Sequence, residues 1–161
     1  MGKVRHLDRI DRAILRELQR EGRLSNVALA RRVGLSPTPC LERVRRLERD
    51  GFITGYVALA DPALLNANTV AFIQVLLTNT STENLRAFAR EMRALPEVET
   101  CHMVAGGFDY LIKIRCADMQ HYQRFLGEKL AAIPLVAQTH TYVVIEEVKS
   151  ETAIALDNLA S

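Results

Sequence analysis

Residues 24–53 read LSNVALARRVGLSPTPCLERVRRLERDGFI, and the fold of the N-terminal third follows from this stretch. Ser25 stands where a helix cap belongs, because its hydroxyl can satisfy an N–H that the first turn leaves free. Gly34 closes the short helix so opened, since glycine tolerates the left-handed turn of a helix end. Ser36 followed by Pro37 starts another helix, with proline at a position whose N–H would have no partner anyway. That helix runs to about Asp50 and stops at Gly51. Ala30 and Gly34 stand four apart: the small residue lets the two helices approach, and the glycine makes the turn. With Leu29, Val33 and Leu35 to bury, the pattern is a helix-turn-helix. Upstream, Leu7, Ile10, Ile14 and Leu18 recur at helical spacing and supply a helix for the pair to pack against. Asp8 caps its start and Gly22 ends it.

The helix from Ser36 separates its faces. Cys40, Val44 and Leu47 lie at i, i+4 and i+7 and face the core. At about 100° per residue the opposite face carries Thr38, Glu42, Arg45, Arg46 and Arg49, with Leu41 and Arg43 on the flanks. Guanidinium groups there can read guanine edges or clamp phosphates. The start of the helix is expected to offer free N–H groups to a phosphate. The candidate DNA-contacting residues are Ser36, Thr38, Pro39, Glu42, Arg43, Arg45, Arg46 and Arg49. Residues 1–50 hold 13 Lys and Arg against 7 Asp and Glu, a net +6, and residues 51–161 carry a net −4. A basic head on an acidic body points to two domains with different partners, the head meeting phosphate. A solvated helix in a bundle would explain the charge, but not also the Ala30–Gly34 spacing and the Ser36-Pro37 start.

Further along, residues 52–59 are β-prone and Asp61-Pro62 ends that unit. Residues 69–78, TVAFIQVLLT, read as a buried strand. A helix with Leu85, Phe88, Ala89 and Met92 on one face follows, with Thr80 and Glu83 at capping-box spacing and Pro96 at its end. Residues 98–104 and 110–116 read as strands joined by Ala105-Gly106-Gly107-Phe108-Asp109, where adjacent glycines suit positive φ. Asp118 caps a second helix that turns Tyr122, Phe125, Leu126 and Leu130 inward, and Pro134 breaks it. Residues 136–148 form the last strand. The order β-α-β-β-α-β is the ferredoxin-like pattern, so the chain is expected to be α+β.

Apolar residues make up 48% of the 161, enough for a real core. No apolar run approaches the roughly 18 residues that a membrane helix needs. The basic start, residues 1–6, has no apolar stretch after it and does not read as a signal peptide. Cys40, Cys101 and Cys116 are an odd, unpatterned set that fits a reducing cytoplasm. With His102, His121 and His140 they show no metal-ligand spacing, so no metal is expected. The chain has no Walker A loop, GxGxxG or GxSxG, and no enzyme or organic cofactor is expected.

From Asp8 to Gly55 the run through LSNVALARRVGLSPTPCLERVRRLERDGFITG closely resembles the Lrp/AsnC family of transcription factors. The similarity continues through CHMVAGGFDYLIKIRCADM (101–119), YQRFLGEKL (122–130) and TYVVIEEVK (141–149), and so covers nearly the whole chain except the last dozen residues. The resemblance implies a winged helix-turn-helix domain (1–53), a β-strand linker or hinge (54–68), a ferredoxin-like domain for effector binding and oligomerisation (69–149), and a C-terminal tail (150–161). It implies homodimers that assemble to octamers or similar rings, double-stranded DNA as partner, and a small amino acid effector held between dimers. By matching motif positions, the effector residues are Met103, Gly106, Asp109, Met119, Tyr142, Val143 and Val144. The chemistry suits an amino acid: a glycine loop's N–H groups can hold a carboxylate, Asp109 can pair with an ammonium group, and the methionines can line an apolar pocket. Where the family often has an acidic or amide residue before the aromatic, this chain has Gly107, which leaves the identity of the effector open. Two rivals to an amino-acid-gated regulator stand beside it. One is an architectural protein that compacts DNA with little sequence preference. The other is a metabolic ferredoxin-like protein whose helical head only assembles subunits.

Overall fold

A computed structural model describes residues 6–156. The chain divides into two compact units, one holding the residues up to 59 together with those from 149, the other residues 60–148.

Among the described residues the first unit contains three helices. Helix α1 (Arg9–Arg20) begins with a reciprocal cap: the Asp11 N–H donates to Asp8 Oδ1 (2.7 Å), and the Asp8 N–H donates to Asp11 Oδ2 (3.2 Å). It ends at Glu21, one residue before Gly22. Helix α2 (Asn26–Val33) opens on Ser25, whose hydroxyl accepts from the Ala28 N–H. It closes on Gly34 at φ +70°, ψ +35°, and the Leu35 N–H returns to the Ala30 carbonyl at 2.9 Å. Helix α3 (Pro37–Arg49) starts after Ser36, whose hydroxyl makes no capping bond. Ile14, Leu15, Leu29, Ala30, Cys40 and Leu47 form one buried apolar cluster. Cys40 is fully buried, and burial pushes its thiol upward, which keeps it an inert apolar filler.

Gly34 gives a clean test of the turn. A Cβ added there would meet nothing within 4 Å, so the only penalty is the left-handed backbone. Gly34→Ala is expected to destabilise the helical unit by about 1 kcal/mol. Urea unfolding should show a lower midpoint at an unchanged slope. An unshifted midpoint would show that the turn does not need its positive φ.

The second unit is an antiparallel sheet in the order β2-β3-β1-β4, from β1 (Thr69–Leu77), β2 (Val98–Met103), β3 (Tyr110–Cys116) and β4 (Val136–Val143). Helix α4 (Thr82–Ala94) connects β1 to β2. Helix α5 (Met119–Arg124) and a π-helical segment (Phe125–Leu130) connect β3 to β4. Strand β1 alternates because one face is covered: Ala71, Ile73, Val75 and Leu77 are buried with Ile112 and Ile114 of β3, under Phe88 and Met92 of α4 and Phe125 and Leu130. Tyr110 pins α4 by donating to the Leu85 carbonyl at 2.8 Å, and its ring lies 4.7 Å from that of Phe88. This is the ferredoxin-like arrangement that the element order implied.

Four local expectations are corrected. Helix α4 is capped by Ser81, which accepts from the Asn84 N–H; Thr80 is not the cap. The helix from Asp118 becomes π-helical at Phe125, which lets Phe125 and Leu130, five apart, both face the core. Strand β4 ends at Val143 rather than near 148, because its ladder runs out at the start of β1. Gly106 and Gly107 do not have positive φ; Gly34 and Gly51 are the described glycines that do. The β-prone residues 52–59 form no ladder among the described residues, where the first unit has no strand to receive them.

Candidate DNA-binding and effector sites

Helix α3 presents two kinds of arginine. Arg43 and Arg46 turn back toward the start of α1. Arg43 Nη1 donates to Asp8 Oδ2 (2.6 Å) and Asp11 Oδ1 (2.8 Å), and Arg46 Nη2 donates to Asp11 Oδ1 (2.5 Å). Asp11 is only 2% exposed and is the one buried charged side chain among the described residues. Burial works to raise the Asp8 carboxyl, but the Asp11 N–H and the Arg43 guanidinium outweigh it and hold it below the ordinary range. Asp8 and Asp11 in turn raise Arg43 further. These arginines hold α3 against α1.

Arg45 and Arg49 are exposed. No ion pair of Arg45 occurs among the described residues, and Arg49 meets only its neighbour Asp50, at 3.4 Å. Ser36, Thr38 and Glu42 are exposed with them, and Pro39 is half-buried. The helix start is poorer in donors than expected: Pro37 and Pro39 have no N–H, so Thr38 alone of the first three helical residues offers one. Asn26 of α2 donates to the Pro37 carbonyl at 2.7 Å and fixes that start. Arg32 is taken up by Glu17 and Glu21 of α1. The surface left for a polyanion is therefore Ser36, Thr38, Arg45 and Arg49, with Glu42 among them. Sequence reasoning missed the arginine–aspartate tie; its signal was the i, i+3 spacing of Asp8 and Asp11 one flank away from Arg43 and Arg46.

The effector candidates fall into two groups. The loop 104–109 is pinned to the far end of β1: the Asp109 N–H donates to the Val75 carbonyl (2.9 Å), and Asp109 Oδ2 accepts from the Leu77 N–H (2.7 Å). Met103, Gly106 and Asp109 gather there, with Met103 and Gly106 exposed. Tyr142 and Val143 pair instead with Phe72 and Ala71 at the near end of β1, and the Val144 N–H donates to the Val70 carbonyl (2.9 Å). Met119 starts α5 just beyond Cys116, which pairs with Thr69 at that same end. At about 3.3 Å per residue the two groups stand roughly 20 Å apart along β1. One chain thus holds Met103, Gly106 and Asp109 at one end of β1, and at the other Tyr142, Val143 and Val144 on its β4 side with Met119 beyond its β3 side, and does not bring the two sets together. Asp109's carboxylate is already engaged by the Leu77 N–H and keeps one oxygen for another partner.

The sheet face away from the helices carries Phe72, Gln74 and Leu76 of β1, Leu111 of β3, and His140 and Tyr142 of β4. No element of the second unit covers it. No group of three or more His, Cys, Asp or Glu among the described residues is placed to hold a metal ion. No described helix is long and apolar enough to cross a membrane.

Comparison with known proteins agrees with this geometry. Residues 7–54 match the family description winged helix-turn-helix DNA-binding, and residues 70–154 match the Lrp/AsnC ligand binding domain. The leucine-responsive regulatory proteins of Escherichia coli and Salmonella typhimurium are each 52% identical over 150 residues, 93% of this chain and 92% of theirs. Among solved structures, a transcriptional regulator from Neisseria meningitidis in complex with L-methionine superposes with a TM-score of 0.91 at 36% identity, over 94% of this chain and 98% of that one. An AsnC family regulator from Agrobacterium tumefaciens gives 0.91 at 34%, over 96% and 100%.

Proposed function

The chain belongs to the Lrp/AsnC family of transcriptional regulators, and from that premise we propose that it is a sequence-specific DNA-binding regulator whose assembly and DNA affinity respond to a small amino acid bound between dimers. Its relatives are regulators, not enzymes, and it pairs a helix-turn-helix with an amino-acid-binding domain. The observation that carries the finer reading is the division of the effector residues between the two ends of β1. A ligand contacting both groups needs the loop of one protomer and the strand end of another, so occupancy and assembly are linked. The uncovered sheet face with Phe72, Leu76, Leu111 and Tyr142 suits a second copy of the chain, as does the unpaired backbone of residues 54–60. In a dimer two α3 helices would enter successive major grooves, roughly 34 Å apart, and further assembly to an octamer or similar ring would bend the DNA. An amino acid then acts through its different affinity for alternative assemblies.

The test is a thermal-shift and sedimentation series with the common amino acids, beginning with L-methionine because of the Neisseria complex. At about 100 times its dissociation constant a specific ligand adds about 2.7 kcal/mol of apparent stability. At least one amino acid is expected to raise the melting temperature and change the sedimentation profile. No change with any of them would overturn effector control. An architectural DNA-compacting role would instead show equal affinity for operator and random DNA, with the same steep salt slope for both.

A further inference from the structure

The chain passes from one unit to the other twice, near residue 60 and near residue 148. In the second unit Arg115 of β3 meets both passages, and Lys113 joins it on the second. Arg115 Nη1 donates to the Ala67 carbonyl at 3.2 Å on the first passage. On the second, Lys113 Nζ bonds Glu147 Oε1 at 3.4 Å, and Arg115 Nη2 lies 3.9 Å from Glu147 Oε2. Glu99, at a break in the β2–β3 register, pairs with both cations and fixes them in place.

Beyond Glu147 the chain does not run free. Gln19 of α1 makes a two-point bond to the backbone of Ile154: the Ile154 N–H donates to Gln19 Oε1 (2.6 Å), and Gln19 Nε2 donates to the Ile154 carbonyl (3.1 Å). The Ile154 side chain stays outside, 64% exposed, so its backbone is what is held. Two residues on, Leu156 is 9% exposed and joins the apolar cluster of Ile14, Leu15, Leu29, Ala30, Cys40 and Leu47. Cys40 and Leu47 are the inner face of α3. The core under the DNA-facing helix is therefore completed by a residue that follows the effector unit in the chain.

We propose that residues 145–156 are a tether that carries changes at the end of β4 into the packing beneath α3. The effector part of this rests on the reading that Tyr142, Val143 and Val144 line the amino acid site. Glu147 is three positions after Val144, and Ile154 is seven positions after Glu147, a span of at most about 25 Å when fully extended. A tether of that length is held in each unit, at Glu147 in one and at Ile154 in the other. A shift of Val144 that breaks the Glu147 clamp frees Ile154 and Leu156 to loosen, and a shift that tightens it pulls on them. The state in which Leu156 is seated is the one in which α3 is held firmly, and DNA affinity follows that population.

The experiment uses full-length Gln19→Ala, Leu156→Ala and Glu147→Gln proteins. Without any ligand, hydrogen exchange in residues 9–20 is expected to speed up by about tenfold or more in Leu156→Ala and several-fold in Gln19→Ala. Glu147→Gln, in the other unit, is expected to speed exchange at residues 151–156 several-fold while β1 and β3 stay protected. Unchanged exchange at 9–20 in both tail-contact variants, or at 151–156 in Glu147→Gln, overturns the tether. DNA affinity is then measured by fluorescence anisotropy with and without each common amino acid. The fold-change that an amino acid produces in the unaltered protein is expected to fall by at least half in Gln19→Ala and Glu147→Gln; a full response in both overturns the coupling. If no amino acid affects the unaltered protein, the effector reading fails on its own, and the ligand-free exchange still decides the tether.

Discussion

Arg45→Ala and Arg49→Ala together are expected to weaken operator binding by about 100-fold or more while leaving the melting temperature unchanged. The two side chains are exposed, and among the described residues Arg45 has no ion pair and Arg49 meets only Asp50, on the surface. A guanidinium on a guanine edge contributes about 1–3 kcal/mol of discrimination, and one on a phosphate steepens the salt dependence by about one counterion. The size and kind of loss therefore separate the roles. A residue reading a base should lower operator affinity and spare random DNA. A residue on a phosphate should lower both and flatten the plot of affinity against salt. Arg43→Ala and Arg46→Ala are the controls, because their guanidinium groups are held by Asp8 and Asp11. Those changes should lower thermal stability first and DNA affinity only as α3 loosens. Anisotropy titrations at several salt concentrations, paired with melting curves, make the comparison. Unchanged DNA affinity in the Arg45/Arg49 double variant would remove α3's outer face from the interface.

That contrast shows what the sequence could and could not reveal. The periodicity of Cys40, Val44 and Leu47 placed the buried face of α3 correctly, since burial follows the helical period and needs no partner to be named. The role of each arginine did not follow from the same angles. Arg46 lies well away from the core line, yet a guanidinium reaches several ångströms, and an aspartate on α1 draws it sideways. A long, charged side chain takes its position from tertiary partners, which the period of one helix does not contain. The same holds for the segment after β4. Its attachment is through the backbone of Ile154 and a lone leucine, and neither leaves a repeating pattern in the sequence. In the second unit the strand order was legible from the alternation in β1 and β3 and from the Asp118 cap before α5. The ends of elements were less so, since β4 stops where β1 stops supplying partners. The positions of Met103 and Tyr142 in the sequence gave no hint that β1 would hold them at opposite ends.

Asp11→Ala is expected to be the most destabilising single polar substitution in the helical unit, at about 3 kcal/mol. The side chain is almost fully buried and serves three donors: the Asp8 N–H, Arg43 and Arg46. Removing one partner of a buried ion pair costs about 3–5 kcal/mol when the other charge stays stranded. Arg43 and Arg46 are partly exposed and can recover water, which puts the expectation at the lower end. For a unit of about 70 residues about 4–8 °C of melting temperature accompanies each kcal/mol, so a drop of about 12–24 °C in the transition of that unit is the expected result. Asp8→Asn should cost less and act through pH. The folded Asp8 carboxyl lies below its ordinary range, so its contribution is present above that range and is lost as pH falls through the folded value. The unaltered protein should therefore lose stability on its acid side faster than Asp8→Asn does, and the two curves should converge at low pH. Parallel acid-side curves would show that Asp8 is not held by Arg43 in solution. An Asp11→Ala protein that melts within about 2 °C of the unaltered chain would show that α3 is held by its apolar face alone, and Arg43 and Arg46 would then rejoin Arg45 and Arg49 as groups free to meet DNA.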